Sequence, residues 1–323
     1  MLITCYGHKD YANLKNRFFP DYSLHPLHST LSNEYYKEYF FEEDNVFFDK
    51  SFLIHNKDLC FCFVGISIRK IEDDNYILDY FGNPAFIYER FPSGVNVKTI
   101  ESLLKSYFVD LFNKYAITTV SFINTSPKLT FPALFFLKKN FSHKLLLRHK
   151  INIDIPLDKI KKNFRKGHIS AIKWLEKNIA LKILDSSNVS DNDISNFRNL
   201  HIKTAKRETR SRHSWNIQQK MIEQNEAFAV FGYKNNKLIS ASLFQHSKSK
   251  CFYSVGVSDR SEFTKPVSHL LIYHAIEKAK ELGCKEFDMG EQIFDSQYKA
   301  KESNISSFKR GFGGDTFCEL LIG

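Results

Sequence analysis

Apolar positions recur along this chain with two alternating periods. Residues 51–55, 59–69 and 75–80 are short apolar runs. Asn56-Lys57-Asp58 and Glu72-Asp73-Asp74 separate them and have the composition of hairpin turns. Phe81 to Ala85, with Gly82 and Pro84, breaks this strand pattern. The period then changes. Ile100, Leu103, Leu104, Tyr107, Phe108, Leu111 and Tyr115 keep helical spacing, while Lys98, Glu101, Lys105 and Lys114 fall off that stripe. Ile117 to Ile123 is β-branched and reads as a strand. The second half repeats the order. Strands are predicted at Ala227 to Tyr233, Lys237 to Gln245 and Cys251 to Gly256. A helix follows from Val267 to Leu282, closed by Gly283, and then a strand over Glu286 to Asp288. The two long helices end about half a chain length apart, so an internal duplication is the simplest account.

The remaining segments are more irregular. Ser32 to Phe41 reads as a capped helix. Ile151 to Ile155 alternates as a strand. Residues 157–178 read as one or two helices, with Ile160, Phe164, Ile169, Ile172 and Leu175 apolar and most other positions basic. A further helix holding Phe197, Leu200 and His201 continues toward Trp215. The pattern predicts an α/β protein of two domains, 1–150 and 151–323.

Composition narrows the class. Of 323 residues 43% are apolar and 15% aromatic, with 31 Phe and 15 Tyr, enough to build cores without disulfides. Six cysteines are scattered, with neither a Cys-x-x-Cys pair nor zinc-finger Cys/His spacing. The expectation is buried free thiols in a reducing compartment and no metal. No basic head with an apolar stretch opens the chain, and no window reaches the ~18 apolar residues of a spanning helix. A cytoplasmic protein is expected, with contact at the inner face of a membrane left open. The net charge of +10 favours an anionic partner, or is simply a basic surface.

Several segments are similar, in order, to FemAB-like proteins: Phe164 to Lys173, Phe197 to Thr209, Ala241 to Phe244, Tyr253 to Gly256, Pro266 to Leu270, Phe287 to Gly290 and Phe308 to Gly313. The match is good over about residues 150–320 and loose before that. The resemblance implies two tandem GNAT-like (acyl-CoA N-acyltransferase) domains, with mixed sheets flanked by helices and the catalytic site in the second. It also implies transfer of an acyl or aminoacyl group to an amine. Well-known members extend peptidoglycan peptides from aminoacyl-tRNA, and shorter relatives look like acyltransferases of envelope glycan pathways. The acceptor is then a small or lipid-linked glycan or peptide, and DNA is not expected. The donor stays open between aminoacyl-tRNA and acyl-CoA or another acyl thioester. Where ordinary GNAT enzymes carry a glycine-rich pyrophosphate loop, Ser261 to His269 has no glycine. A tandem GNAT scaffold without catalysis, binding an anionic glycan or nucleic acid, is the competing class.

Acyl transfer to an amine needs a proton acceptor, a partner for the tetrahedral oxyanion and a device that holds donor and acceptor in contact. The family's Phe-Lys-x-x-Phe-Gly pattern falls on Phe308 to Gly313 and implies Lys309 for the oxyanion or donor carbonyl, in a turn that Gly311, Gly313 and Gly314 permit. Asp288 and Glu291 compete as proton acceptor or amine anchor. The same strand leads to a polar loop with Gln297 and Tyr298. Arg165, His168 and Lys173 lie within about two helical turns of about 3.6 residues and form either a diphosphate clamp or a solvated basic face. Arg207, Arg210 and Arg212 with Trp215 form a second basic–aromatic cluster whose Arg and Trp could stack on the bases of a tRNA, and Tyr253 is carried over as substrate-binding.

Overall fold

The apolar runs pair as strands and the amphipathic stretches lie on them as helices. The structure is a computed structural model and describes residues 1–40, 46–71, 75–262, 267–294 and 300–323. The turn Glu72 to Asp74, the part of the glycine-free stretch from Phe263 to Pro266, and the loop residues Gln297 and Tyr298 lie outside the described residues.

In order, the first half comprises β1 (Leu2–Cys5), α1 (Tyr11–Phe18), α2 (Thr30–Tyr39), β2 (Phe47–Asp49), β3 (Phe52–His55), β4 (Cys60–Gly65) and β5 (Ser67–Lys70). Then come β6 (Tyr76–Asp79), β7 (Phe86–Glu89), α3 (Val97–Lys114), β8 (Ile117–Val120), β9 (Phe122–Asn124), α4 (Phe131–Lys138) and β10 (His143–Asn152). The second half comprises α5 (Leu157–Lys162), α6 (Lys166–Leu175), β11 (Ala180–Leu184), α7 (Asp191–Ala205), α8 (Arg212–Glu223) and β12 (Ala227–Lys234). It closes with β13 (Lys237–His246), β14 (Lys250–Ser258), α9 (Val267–Glu281), β15 (Glu286–Glu291), α10 (Ala300–Arg310) and β16 (Asp315–Ile322).

Two compact units result, and neither is a continuous stretch of chain. One comprises Met1–Asp21, Tyr36–Leu146 and Cys318–Gly323; the other comprises Tyr22–Tyr35 and Leu147–Phe317. In the first, β1-β3-β4-β7 and β2-β5-β6-β8 form two sheets, and the chain's last strand, β16, pairs with β9. Its core is the predicted α3 stripe: Ile100, Leu104, Phe108 and Leu111 pack with Phe52, Phe122 and Phe136. Each such fully buried side chain contributes about 1.5–3 kcal/mol. In the second unit the sheet order is β11-β12-β13-β14-β15-β10. The α9 residues Leu271, Ala275, Ile276 and Ala279 are buried in one core with Phe228, Phe244 and Phe287.

The expected repeat is visible in the pairing. In each unit a helix crosses over between two parallel strands: β6 and β8 across α3, and β14 and β15 across α9. All the other ladders described are antiparallel, so the sheets that hold β6–β8 and β14–β15 are mixed, as expected for GNAT-like domains, while β1-β3-β4-β7 is antiparallel throughout.

Local expectations need six corrections. The strands read at 59–69 and at Ile117 to Ile123 each divide in two, β4 with β5 and β8 with β9, and the two halves lie in different sheets. The strand read at Ile151 to Ile155 is the end of β10, which begins at His143. The helix read through Thr204 toward Trp215 is two helices, because Lys206 takes the left-handed conformation (φ +59) after α7. Lys309 lies in the last turn of α10, and the glycine turn follows it, with Gly313 at φ +71 and Gly314 at φ +88. Of the six cysteines, which are all free, four are buried, Cys5 is half-buried and Cys318 is exposed.

Candidate functional site

The site is built where two strands part. β14 and β15 pair in parallel at Lys250/Glu286, Cys251/Phe287 and Phe252/Asp288, and no further pair joins them among the described residues. Both strands continue, β14 to Ser258 and β15 to Glu291, and each stays paired on its other side to the end. The seam therefore opens locally. Each strand also carries one unmatched residue near that level. Ser254 interrupts the β14 register against β13, and Met289 interrupts the β15 register against β10. Such bulges bend a strand. Gly290 adds a positive φ of 81°, which a side chain would disfavour.

Asp288 stands at the last paired position and is 1% exposed. Arg148 donates to its Oδ2 from Nη2 (2.7 Å) and from Nε (3.1 Å), and the Gly290 N–H donates to Oδ1 (2.7 Å). His25 places Nε2 3.6 Å from the same Oδ2. The Leu27 N–H donates to His25 Nδ1, which leaves the proton of a neutral ring on Nε2, facing the carboxylate. Burial favours that neutral form and pushes His25 down; it does the same, more strongly, to His28, whose ring lies 5.5 Å away. Burial alone would raise Asp288. The His25 contact, the Arg148 charge and the Gly290 N–H outweigh it and hold the carboxyl well below the usual range. Asp288 is thus a fixed negative charge and a poor proton acceptor.

Lys309 reaches the same place from α10. Its Nζ donates to the Glu291 carbonyl (3.3 Å) and lies 3.5 Å from where a Gly290 Cβ would stand. Burial lowers its pKa and Arg148 adds to that, while Asp288 and Glu291 pull it back up. Two contacts fasten α10 beside the strand end: Ser306 Oγ accepts from the Ile293 N–H (2.9 Å), and Arg310 donates to Gln292 (3.2 Å). The Glu291 side chain is exposed. The structure thus brings Lys309, Asp288 and Glu291 together. Tyr253 lies just past the last β14–β15 pair, stacked on Phe244, with its hydroxyl against Gly256. Burial raises its pKa, so the hydroxyl stays protonated.

The basic residues do not converge in the same way. His168 is buried: its Nε2 donates to the Phe308 carbonyl (2.9 Å), and its ring packs against His269 and Phe312. Arg165 precedes the first turn of α6 and its guanidinium reaches the Ser307 carbonyl (3.4 Å), whereas Lys173 is exposed. Arg207 is exposed. Arg210 donates to the Tyr35 hydroxyl and to His201, both at 2.8 Å. Burial and the Arg210 charge push His201 down to about 4. His168 is thus packed as a strut, and the half-buried Arg210 ties Tyr35 to His201.

The His168 strut makes a prediction. A Cβ built on Gly311 would overlap the imidazole, which cannot retreat from His269 and Phe312. Gly311→Ala should cost about 1–3 kcal/mol, as overpacking does. Urea unfolding checks it; an unchanged midpoint would show that the ring has room.

Two members of the site carried no sequence signal. Arg148 arrives on β10 and His25 on the Tyr22–Tyr35 segment, which Ser32 (to Gln245, 2.7 Å) and Ser29 (to Glu226, 2.8 Å) bind to the second unit. Among the described residues no group of three or more His, Cys, Asp or Glu could hold a metal ion, and no helix is long and apolar enough to cross a membrane.

No protein-family model and no curated sequence matches the chain. Solved structures do. FemX aligns over 99% of this chain and 97% of its own at a TM-score of 0.71 and 12% identity. L-PGS of Bacillus licheniformis aligns over 86% and 83% (TM-score 0.55, 11% identity). A tandem GNAT protein from the clavulanic acid biosynthesis pathway aligns over 90% and 86% (TM-score 0.52, 8% identity). The chain has the tandem GNAT fold that these structures share.

Proposed function

We propose that this chain is an N-acyltransferase that moves an acyl group directly from a donor to an amino group. The observation that supports it most is the local opening of the β14–β15 seam with Lys309, Arg148 and Asp288 at its end. An acyl carbonyl held there would meet the Lys309 ammonium. The amine attacks the carbonyl carbon, a C–N bond forms, and the oxyanion is stabilised by Lys309. The proton released by the amine passes to Glu291, whose exposed carboxylate suits that role better than the fixed charge of Asp288. The tetrahedral intermediate then collapses and expels the donor's leaving group, a thiolate for a thioester. Asp288 acts as anchor, orienting Arg148 and keeping Lys309 cationic.

The acceptor we favour is an amino group of a sugar or peptide in cell-envelope polysaccharide or peptidoglycan synthesis, at the inner face of the membrane when lipid-linked. Acyl-CoA or another acyl thioester is the first choice of donor. Aminoacyl-tRNA is the second, supported by the glycine-free stretch Ser261 to His269 and by the FemX-like fold. Thermal unfolding separates the donors. A ligand at ~100 times its Kd adds about 2.7 kcal/mol. Acetyl-CoA and longer acyl-CoA should raise the melting temperature by degrees and uncharged tRNA should not. Stabilisation by aminoacyl-tRNA alone selects the second donor, and no shift with either donor, candidate acceptors present, points to the scaffold class.

A further inference from the structure

A second concavity lies away from the parted strands, between α7 and α8, with a volume of about 540 Å³. None of its lining residues belongs to β14, β15 or α10. That volume falls in the range of small-molecule sites, about 300–1,000 Å³. Ile194 and the nearly buried Trp215 supply its apolar part.

The polar lining is unbalanced toward donors. Two carboxylates, Asp191 and Glu223, are already engaged by Gln219, whose Nε2 donates to them at 2.7 and 2.8 Å. The cations are less occupied. Arg212 and Lys220 are exposed, and their side chains make no hydrogen bond or ion pair among the described residues. Arg198 gives Nη2 to Glu208 (2.6 Å), but its Nε is buried with no partner among the described residues. Buried donors are rarely left unmatched, and one left so costs about 1–3 kcal/mol. Asn199 and Asn216 add amide donors on the two walls. Two guanidiniums, one ammonium and two amides call for a ligand rich in acceptor oxygens and negative charge. Phosphate oxygens fit a guanidinium fork best.

We propose that the hollow between α7 and α8 binds a phosphate- or diphosphate-bearing small molecule, at a site independent of acyl transfer. The chemistry is common to a nucleotide, a phosphorylated sugar and free pyrophosphate, so the experiment takes one of each. The full chain is titrated with ADP, glucose 1-phosphate and inorganic pyrophosphate by calorimetry, at ~0.15 M salt to screen loose surface attraction. At least one should bind saturably, one per chain. Arg198→Gln and Arg212→Gln should each weaken it about tenfold or more, which is about 1.4 kcal/mol. Lys309→Ala should leave it unchanged. Releasing Glu208 can unsettle α7, so Arg212→Gln and Lys220→Gln, at exposed positions, keep the test independent of folding. Absence of saturable binding by all three probes overturns the proposal. So does binding that survives the Arg212 and Lys220 changes, or binding that Lys309→Ala abolishes.

Discussion

Lys309→Ala should lower turnover about 100- to 1,000-fold while acceptor affinity changes little, which is the usual effect of removing one donor to a developing oxyanion. The split follows from where the ammonium sits. Its Nζ lies beside Gly290, at the end of the strand that parts from β14, and is held by the Glu291 carbonyl rather than by a carboxylate. It is therefore available to charge that appears only during reaction. A positioned cation in a half-buried place is worth more than one in bulk water, because less solvent screens it. Lys309→Arg retains the charge but replaces a point donor by a planar fork, so it should recover only part of the rate. Turnover by Lys309→Ala equal to that of the unaltered chain would remove Lys309 from the mechanism. Loss of acceptor affinity with kcat intact would make it a binding residue instead.

Asp288→Asn should destabilise the second unit by about 3 kcal/mol at neutral pH, because it takes the facing carboxylate from a mostly buried guanidinium, 14% exposed. Both tryptophans, Trp174 and Trp215, fall in that unit, so their fluorescence follows its unfolding. The pH dependence has a definite sign. The folded carboxyl sits below its unfolded value of about 3.9, so the unfolded state binds its proton first as pH falls. The stabilisation is complete above about pH 5 and disappears below about pH 4, through the folded value. Burial of neutral His25 and His28 opposes folding below about pH 6.5, so the readout is the gap between the two proteins rather than either midpoint. The gap should stay level above about pH 6.5, widen below it because Asp288 also supports protonated His25, and close in stronger acid. A gap absent at pH 7 would show that Arg148 finds other partners.

Much of the architecture was legible because period and composition act locally. The stripe from Ile100 to Leu111 could be satisfied only by one buried helical face, and α3 buries it; the same holds for Leu271 to Ala279 on α9. Their repetition half a chain apart was enough to suggest a duplicated unit, and the two parallel crossovers carry it out. The resemblance over Phe308 to Gly313 singled out Lys309, and the strand ending in Asp288 to Glu291 singled out the carboxylates.

Local pattern could not say that Asp288 is held as a fixed anion. That depended on Arg148, 140 residues from Asp288, and on His25, brought by a segment from the start of the chain. The same limit turned the basic helix residue His168 into a packed strut against Phe308 and Phe312, and Arg210 into a tie to Tyr35. It also hid the break at Lys206, where a lysine rather than a glycine takes the left-handed turn. By itself the sequence determined most strands of the two repeated units, the two long helices and the position of a lysine after a duplicated strand–helix–strand unit. Tertiary structure alone decided that Asp288 is a fixed anion, that the seam opens beside it and that Lys309 faces the opening. The reason is that burial and Coulomb attraction depend on distance in space, and chain pattern records only distance along the sequence.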